Sequence, residues 1–218
     1  MKQGLFVTFE GGEGSGKSTQ IPLLSDWLKL KGYNVISTSE PPKGSHLFDA
    51  IHHALKFGKE DMCTGSEMFL LQAGRAQHVH EVIQPALNKG YIVLCDRFYD
   101  STIVYQGYGR GFSLSEIRAA NMIASGGLIP DLTYLLDVKP EVGLAQRKRQ
   151  IKDLPTTHQL HQDKYENKEL DFHKKLFRGY HALAREEAFR FRVIPRDTIE
   201  QMQERIREEI NPFLKYVK

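Results

Sequence analysis

The sequence predicts an α/β fold in which a five-stranded parallel sheet is flanked by helices in three layers. Three observations predict it. Short β-branched and aromatic runs recur along the chain, helical patterns separate each from the next, and the first run stops at a glycine-rich loop that opens a helix. Strands alternating with helices wind a parallel sheet through right-handed crossovers. The 218 residues, 40% of them apolar, suffice for one domain over 1–218 that buries roughly 70% of its unfolded surface. No repeat or Gly/Ser linker divides it.

The first strand is expected over 5–9, where LFVTF halts at glycines, and a helix over 17–31 ends at Gly32. Further strands are expected over 33–38, 91–95, 132–138 and 191–194, with helices over 140–151 and 164–190. Between those two helices lies KDLPTTHQLHQD, which is polar, has no apolar period and carries Pro155, His158 and His161. It reads either as a lid, about 150–164, or as an ordinary exposed loop.

Thirty Lys and Arg against 27 Asp and Glu leave a net charge of +3, which suits a few phosphates in a cleft better than a nucleic-acid surface. The longest apolar run, 91–95, falls far short of the roughly 20 residues of a spanning helix, so no membrane segment is expected. Cys63 and Cys95 make no disulfide framework; Cys95 reads as a buried structural thiol and the expected compartment is a reducing cytosol. The histidines at 52 and 53, 78 and 80, and 158 and 161 lack the i, i+4 spacing and neighbouring ligands of a zinc site.

Gly11, Gly12, Glu13, Gly14, Ser15, Gly16, Lys17, Ser18 and Thr19 satisfy the P-loop pattern, Gly-x-x-x-x-Gly-Lys-Ser. The pattern arises by chance in roughly one chain in a hundred of this length, and the strand before and helix after lower that further. Its glycines let backbone N–H groups and the positive end of the next helix face a β-phosphate. Lys17 then bridges β and γ oxygens, and Ser18 ligates Mg²⁺. Switch GTPases also need Asp-x-x-Gly and Asn-Lys-x-Asp, both missing here, and a translocase needs more length and a broader basic surface. A small-molecule kinase fits best.

In doubly wound sheets ligands sit beyond the carboxyl ends of the strands, so FEGGEGSGKS, SEPPKGS and DRFYDSTIVYQGYGRG should share one crevice. Asp96 ends a buried strand where it can hold Mg²⁺ or orient the attacking oxygen, and Arg97 can clamp phosphate oxygens bidentately. A plain turn with a surface ion pair is the alternative for this dyad.

On FEGGEGSGKST, the Glu40-Pro41 pair, GRAQHVHEVIQPAL, CDRFYDSTIVYQGYGRG and PDLTYLLDV, the chain resembles the bacterial thymidylate kinases, which move the γ-phosphate of ATP onto dTMP. The resemblance implies a P-loop NTPase fold with a lid, ATP and dTMP as partners, Mg²⁺ with ATP, and a cytoplasmic homodimer. ATP would lie on residues 11–19, with Ser18 and Asp96 at the metal. Lys17, Asp96, Arg97 and the lid cations Arg149 and Lys164 would be catalytic. The acceptor would meet Glu13, Glu40, Leu71, Arg75, Arg97, Thr102, Tyr105 and Gln106. Arg75 would bond the thymine carbonyl, Thr102 and Gln106 the rest of the base edge, and Tyr105 would pack on the sugar. Arg97 would take the acceptor phosphate, and Glu13 would face the 3′-hydroxyl. The chain departs from the family at Leu71, where a stacking phenylalanine is usual, and at Ser39 and Lys164, where arginines are usual. Those departures keep two alternatives: a kinase of another deoxynucleotide or nucleoside, and a nucleotide-binding regulator without catalysis.

Overall fold

The computed structural model describes residues 4–42, 44, 46–57, 62–152 and 170–217, the side chains of 150–152 excepted. Five strands, β1 (Leu5–Glu10), β2 (Val35–Ser39), β3 (Ile92–Asp96), β4 (Leu132–Asp137) and β5 (Phe191–Pro195), form one parallel sheet in the order β2-β3-β1-β4-β5. The helices are α1 (Lys17–Leu30), α2 (His46–Phe57), α3 (Thr64–His78), α4 (Gln84–Asn88), α5 (Tyr99–Thr102), α6 (Leu114–Ser125), α7 (Pro140–Lys152), α8 (Leu170–Glu186) and α9 (Ile199–Leu214). A π-helical turn, Val79–Ile83, joins α3 to α4, and a second, Ile103–Gly109, extends α5.

The period of two along each strand divides the core between the two faces of the sheet. Leu5, Val7 and Phe9 of β1 pack with Leu24 and Leu28 of α1 and Ile206 and Ile210 of α9. Phe6 points the other way, into a cluster with Met68 of α3, Phe98, Val104, Ile117 of α6 and Leu176, Tyr180 and Leu183 of α8. Every residue of β1 is buried, Thr8 and Glu10 included, as befits a central parallel strand covered on both faces.

Most predicted boundaries hold to within one residue, and two move further. The second strand begins at Val35 rather than 33, because the Tyr33 N–H is taken by the Leu28 carbonyl (3.1 Å) in the turn closing α1. The long helix, described from Leu170, ends at Glu186 rather than 190. There the chain turns so that Arg190, 1% exposed, reaches Asp100 (2.7 and 2.8 Å) and Thr133 (2.6 Å) beneath the sheet edge. The predicted lid, with Lys164, lies outside the described residues except for the last turn of α7.

Candidate active site

The carboxyl ends of β1, β3 and β4 and the turn after β2 each carry a carboxylate. In spatial order across the sheet these are Glu40, Asp96, Glu10 and Asp137. Glu40 accepts from Arg75 Nε (2.9 Å) and Nη2 (2.7 Å). Glu10 accepts from the Phe98 N–H (2.8 Å), Ser101 Oγ (2.6 Å) and Tyr180 Oη (3.0 Å). Asp137 meets His181 Nε2 at 2.9 Å. Asp96 differs: its Oδ1 is buried with no hydrogen-bond partner among the described residues. A buried acceptor left this way costs about 1–3 kcal/mol, more for a charged group, so the position is built for something the protein does not supply.

Beside this row the P-loop leaves β1. Gly14 takes φ 64°, and a Cβ there would come 2.1 Å from the Gly143 carbonyl of α7. A Cβ on Gly143 would in turn come 2.2 Å from the Glu13 carbonyl. Two glycines therefore let the phosphate loop lie directly on the start of α7. Lys17, 8% exposed, donates across the loop to the Gly11 carbonyl (3.1 Å), the Gly12 carbonyl (3.3 Å) and Ser15 Oγ (3.3 Å). Burial and the Arg97 charge push its pKa down, while Asp96, Glu13 and Glu10 pull it up. Ser18 is exposed at the first turn of α1.

Arg97 follows β3 with a left-handed backbone, φ 67°, rare for a side chain with a Cβ. Its Nη2 donates to Glu13 Oε1 (2.9 Å), and its Nη1 lies 3.2 Å from the Gly11 carbonyl, 3.3 Å from Ser101 Oγ and 3.2 Å from Tyr180 Oη. The guanidinium also covers the Tyr105 ring at 5.1 Å. Tyr105 Oη donates to the same Glu13 oxygen at 3.2 Å. Burial raises the Glu13 carboxyl, but the Arg97 and Lys17 cations and the Tyr105 bond outweigh it and hold the group below the usual carboxylate range. Glu13 thus ties the P-loop to the end of β3.

The expected acceptor residues converge on the same side. Arg75 is 2% exposed and makes five hydrogen bonds: two to Glu40, one each to Gln72 (2.8 Å) and Asn121 (2.9 Å) from Nη1, and one to Thr102 Oγ1 (2.9 Å). It is the hub of a buried network in which Gln72 also donates to Asn121 (2.7 Å). Gln106 donates to Glu67 (3.0 Å), and Leu71 is half-buried one helical turn before Arg75. Arg149 is exposed on α7. Glu10, Ser101, Tyr180, Gln72 and Asn121 were not singled out from the sequence. Glu10 carried the signal that marked Asp96, a charge ending a buried strand.

A family model described as thymidylate kinase matches residues 9–206 of this chain. Among curated proteins, the thymidylate kinase of Desulfovibrio desulfuricans is 44% identical over 212 residues, covering 93% of this chain and 94% of that one. The thymidylate kinase of Gloeobacter violaceus is 40% identical over 211 residues, covering 96% of each. Among solved structures, the crystal structure of thymidylate kinase from Ehrlichia chaffeensis superposes with a TM-score of 0.75 at 30% identity, covering 95% of this chain and 98% of that one.

Proposed function

The chain belongs to the thymidylate kinase family, and from that membership we infer its reaction and propose how its own residues divide the work. It is an ATP-dependent nucleoside monophosphate kinase that transfers the γ-phosphate of ATP to dTMP, giving dTDP and ADP. The observation that carries the assignment of roles is the junction of two strand ends, where Lys17 of the P-loop lies within electrostatic reach of Asp96 and Arg97 and Glu13 bonds Arg97 directly.

In this proposal the donor phosphates lie on the backbone of 11–19, and Lys17 neutralises the β- and γ-oxygens. Arg97 clamps the acceptor phosphate. Oε2 of Glu13, the oxygen that takes neither the Arg97 nor the Tyr105 bond, accepts from the sugar 3′-hydroxyl. Tyr105 closes the sugar's other side. Arg75, Thr102 and Gln106 meet the base, with Leu71 covering its face. Arg75 is already fully engaged, so contact with thymine requires it to exchange one of its protein partners. Mg²⁺ accompanying ATP would be held by Ser18 and Asp96, and when bound it neutralises and aligns the transferring phosphoryl group. The partnerless Asp96 Oδ1 fits that role. Arg149 and Lys164 supply the remaining cationic charge, and closure over the donor excludes the water that would otherwise take the phosphate.

The proposal includes a homodimer in the cytoplasm. Phe69 on α3 and Met122 and Ile123 on α6 are 66%, 52% and 83% exposed on two helices that pack against each other, an apolar face suited to a second copy. No described helix is long and apolar enough to cross a membrane.

A coupled ADP-release assay with dTMP, dUMP, dCMP and dGMP tests the reaction. Turnover is expected with dTMP above background ATP hydrolysis and is expected to vanish in Lys17→Ala. No turnover above hydrolysis with dTMP overturns the reading.

A further inference from the structure

We propose that Glu10 is a positioning residue for Arg97, fixing both its backbone and the direction of its guanidinium, and so sets the affinity for the acceptor phosphate. The inference rests on the role just given to Arg97 and deepens it.

Three contacts carry it. Glu10 is fully buried at the last position of β1, and its Oε1 accepts the N–H of Phe98 at 2.8 Å. On the other side the Arg97 N–H donates to the Phe9 carbonyl at 3.0 Å. The left-handed residue is thus clamped on both sides by consecutive residues of β1, once through the main chain and once through the Glu10 side chain. The third contact is indirect. Glu10 Oε2 receives the protons of both Ser101 Oγ (2.6 Å) and Tyr180 Oη (3.0 Å), and these hydroxyl oxygens lie 3.3 and 3.2 Å from Arg97 Nη1.

A hydroxyl has one proton. While an acceptor-only carboxylate takes both protons, both hydroxyl oxygens turn lone pairs toward the guanidinium. Protonating Oε2, or replacing it with an amide NH₂, makes that position a donor. At least one hydroxyl then loses its acceptor and must turn its proton either to the other hydroxyl, 3.0 Å away, or toward the guanidinium, and the pair no longer offers Arg97 the same two acceptors. The switch needs no change of shape, only of hydrogen-bond direction.

Burial, first, and the neighbouring Asp100 raise the Glu10 carboxyl to about 7, against Arg97, Ser101 and the Phe98 N–H. Lys17 and Cys95 also feel its charge, and Tyr180 faces it from α8. Whether the two hydroxyls are free to accept from Arg97 is therefore set near neutral pH.

The experiment is calorimetric titration of dTMP into the full chain and into Glu10→Gln at pH 6 and pH 8, with ATP titrated in parallel and wild-type turnover of dTMP measured separately. At pH 8 the variant is expected to bind dTMP about tenfold more weakly, with ATP affinity unchanged. Wild-type dTMP affinity is expected to fall between pH 8 and pH 6 by more than that of the variant. Subtracting the variant's pH dependence removes the titration of the ligand phosphate itself, whose second pKa lies near 6. Ser101→Ala and Tyr180→Phe remove one relay each and keep the proposal testable should Glu10→Gln fail to fold. Each is expected to weaken dTMP binding, and together by less than the sum. Equal dTMP affinity in wild type and variants, or an equal loss of ATP affinity, overturns the proposal. Wild-type chain that binds dTMP but does not turn it over overturns the assigned reaction instead.

Discussion

A left-handed backbone at a residue with a Cβ costs about 1–2 kcal/mol, and Arg97 is held there by the Phe9 carbonyl and the Glu10 carboxylate. That conformation turns the guanidinium back over the P-loop, where one side chain touches Gly11, Glu13, Ser101 and Tyr180. A lysine keeps the charge but not the planar fork that makes these contacts together. Arg97→Lys is therefore expected to lower kcat/KM for dTMP by about a hundredfold with little change in the KM for ATP, as read by steady-state kinetics. A uniform loss for both substrates would instead make Arg97 part of the donor site. Arg75 shows where residue-level reading stops. Its turn of spacing from Leu71 was legible, but its four partners, Gln72, Asn121, Thr102 and Glu40, come from α3, α6, α5 and the turn after β2. No local pattern announces Asn121, which lies 46 residues further on. Tyr180 and Glu10, 170 residues apart, are beyond local spacing altogether.

Among the elements, α1 and the five strands were legible because the strands are short runs rich in β-branched, aromatic and other apolar residues, and because the glycines of 11–16 can only be a turn. Boundaries slipped where a side chain or a capping bond from elsewhere decided them, as Arg190 does at the end of α8. The seating of α7 on the P-loop had no signature in the sequence. It depends on Gly143, an inconspicuous glycine in a helix, where alanine would ordinarily be the better residue. Here the added Cβ would meet the Glu13 carbonyl at 2.2 Å, so backbone must shift. Gly143→Ala is expected to destabilise by roughly 1–3 kcal/mol in urea unfolding and to raise the KM for ATP. A gain in stability at unchanged KM would show that α7 and the loop do not press on one another.

Taken as a molecule, the sheet gathers its charge at one edge. Four carboxylates end the strands in a row, and three of them are hydrogen-bonded by the chain itself, while Asp96 Oδ1 is left for a ligand. The opposite need, covering apolar surface, arises on α3 and α6. Sedimentation at micromolar concentration is expected to give twice the chain mass, and Ile123→Glu to halve it. A wild-type monomer at tens of micromolar would remove the dimer from the proposal. The contact between Gly14 and Gly143 reaches further than either glycine. It joins positions 129 apart as one unit of exchange, so neither can drift in sequence without the other answering. For anyone building chimeras in this family, segment 153–169 can be swapped from a relative only with a splice point placed after residue 143. A junction upstream would import a foreign α7 start and, with it, a different seat for the loop that grips the donor.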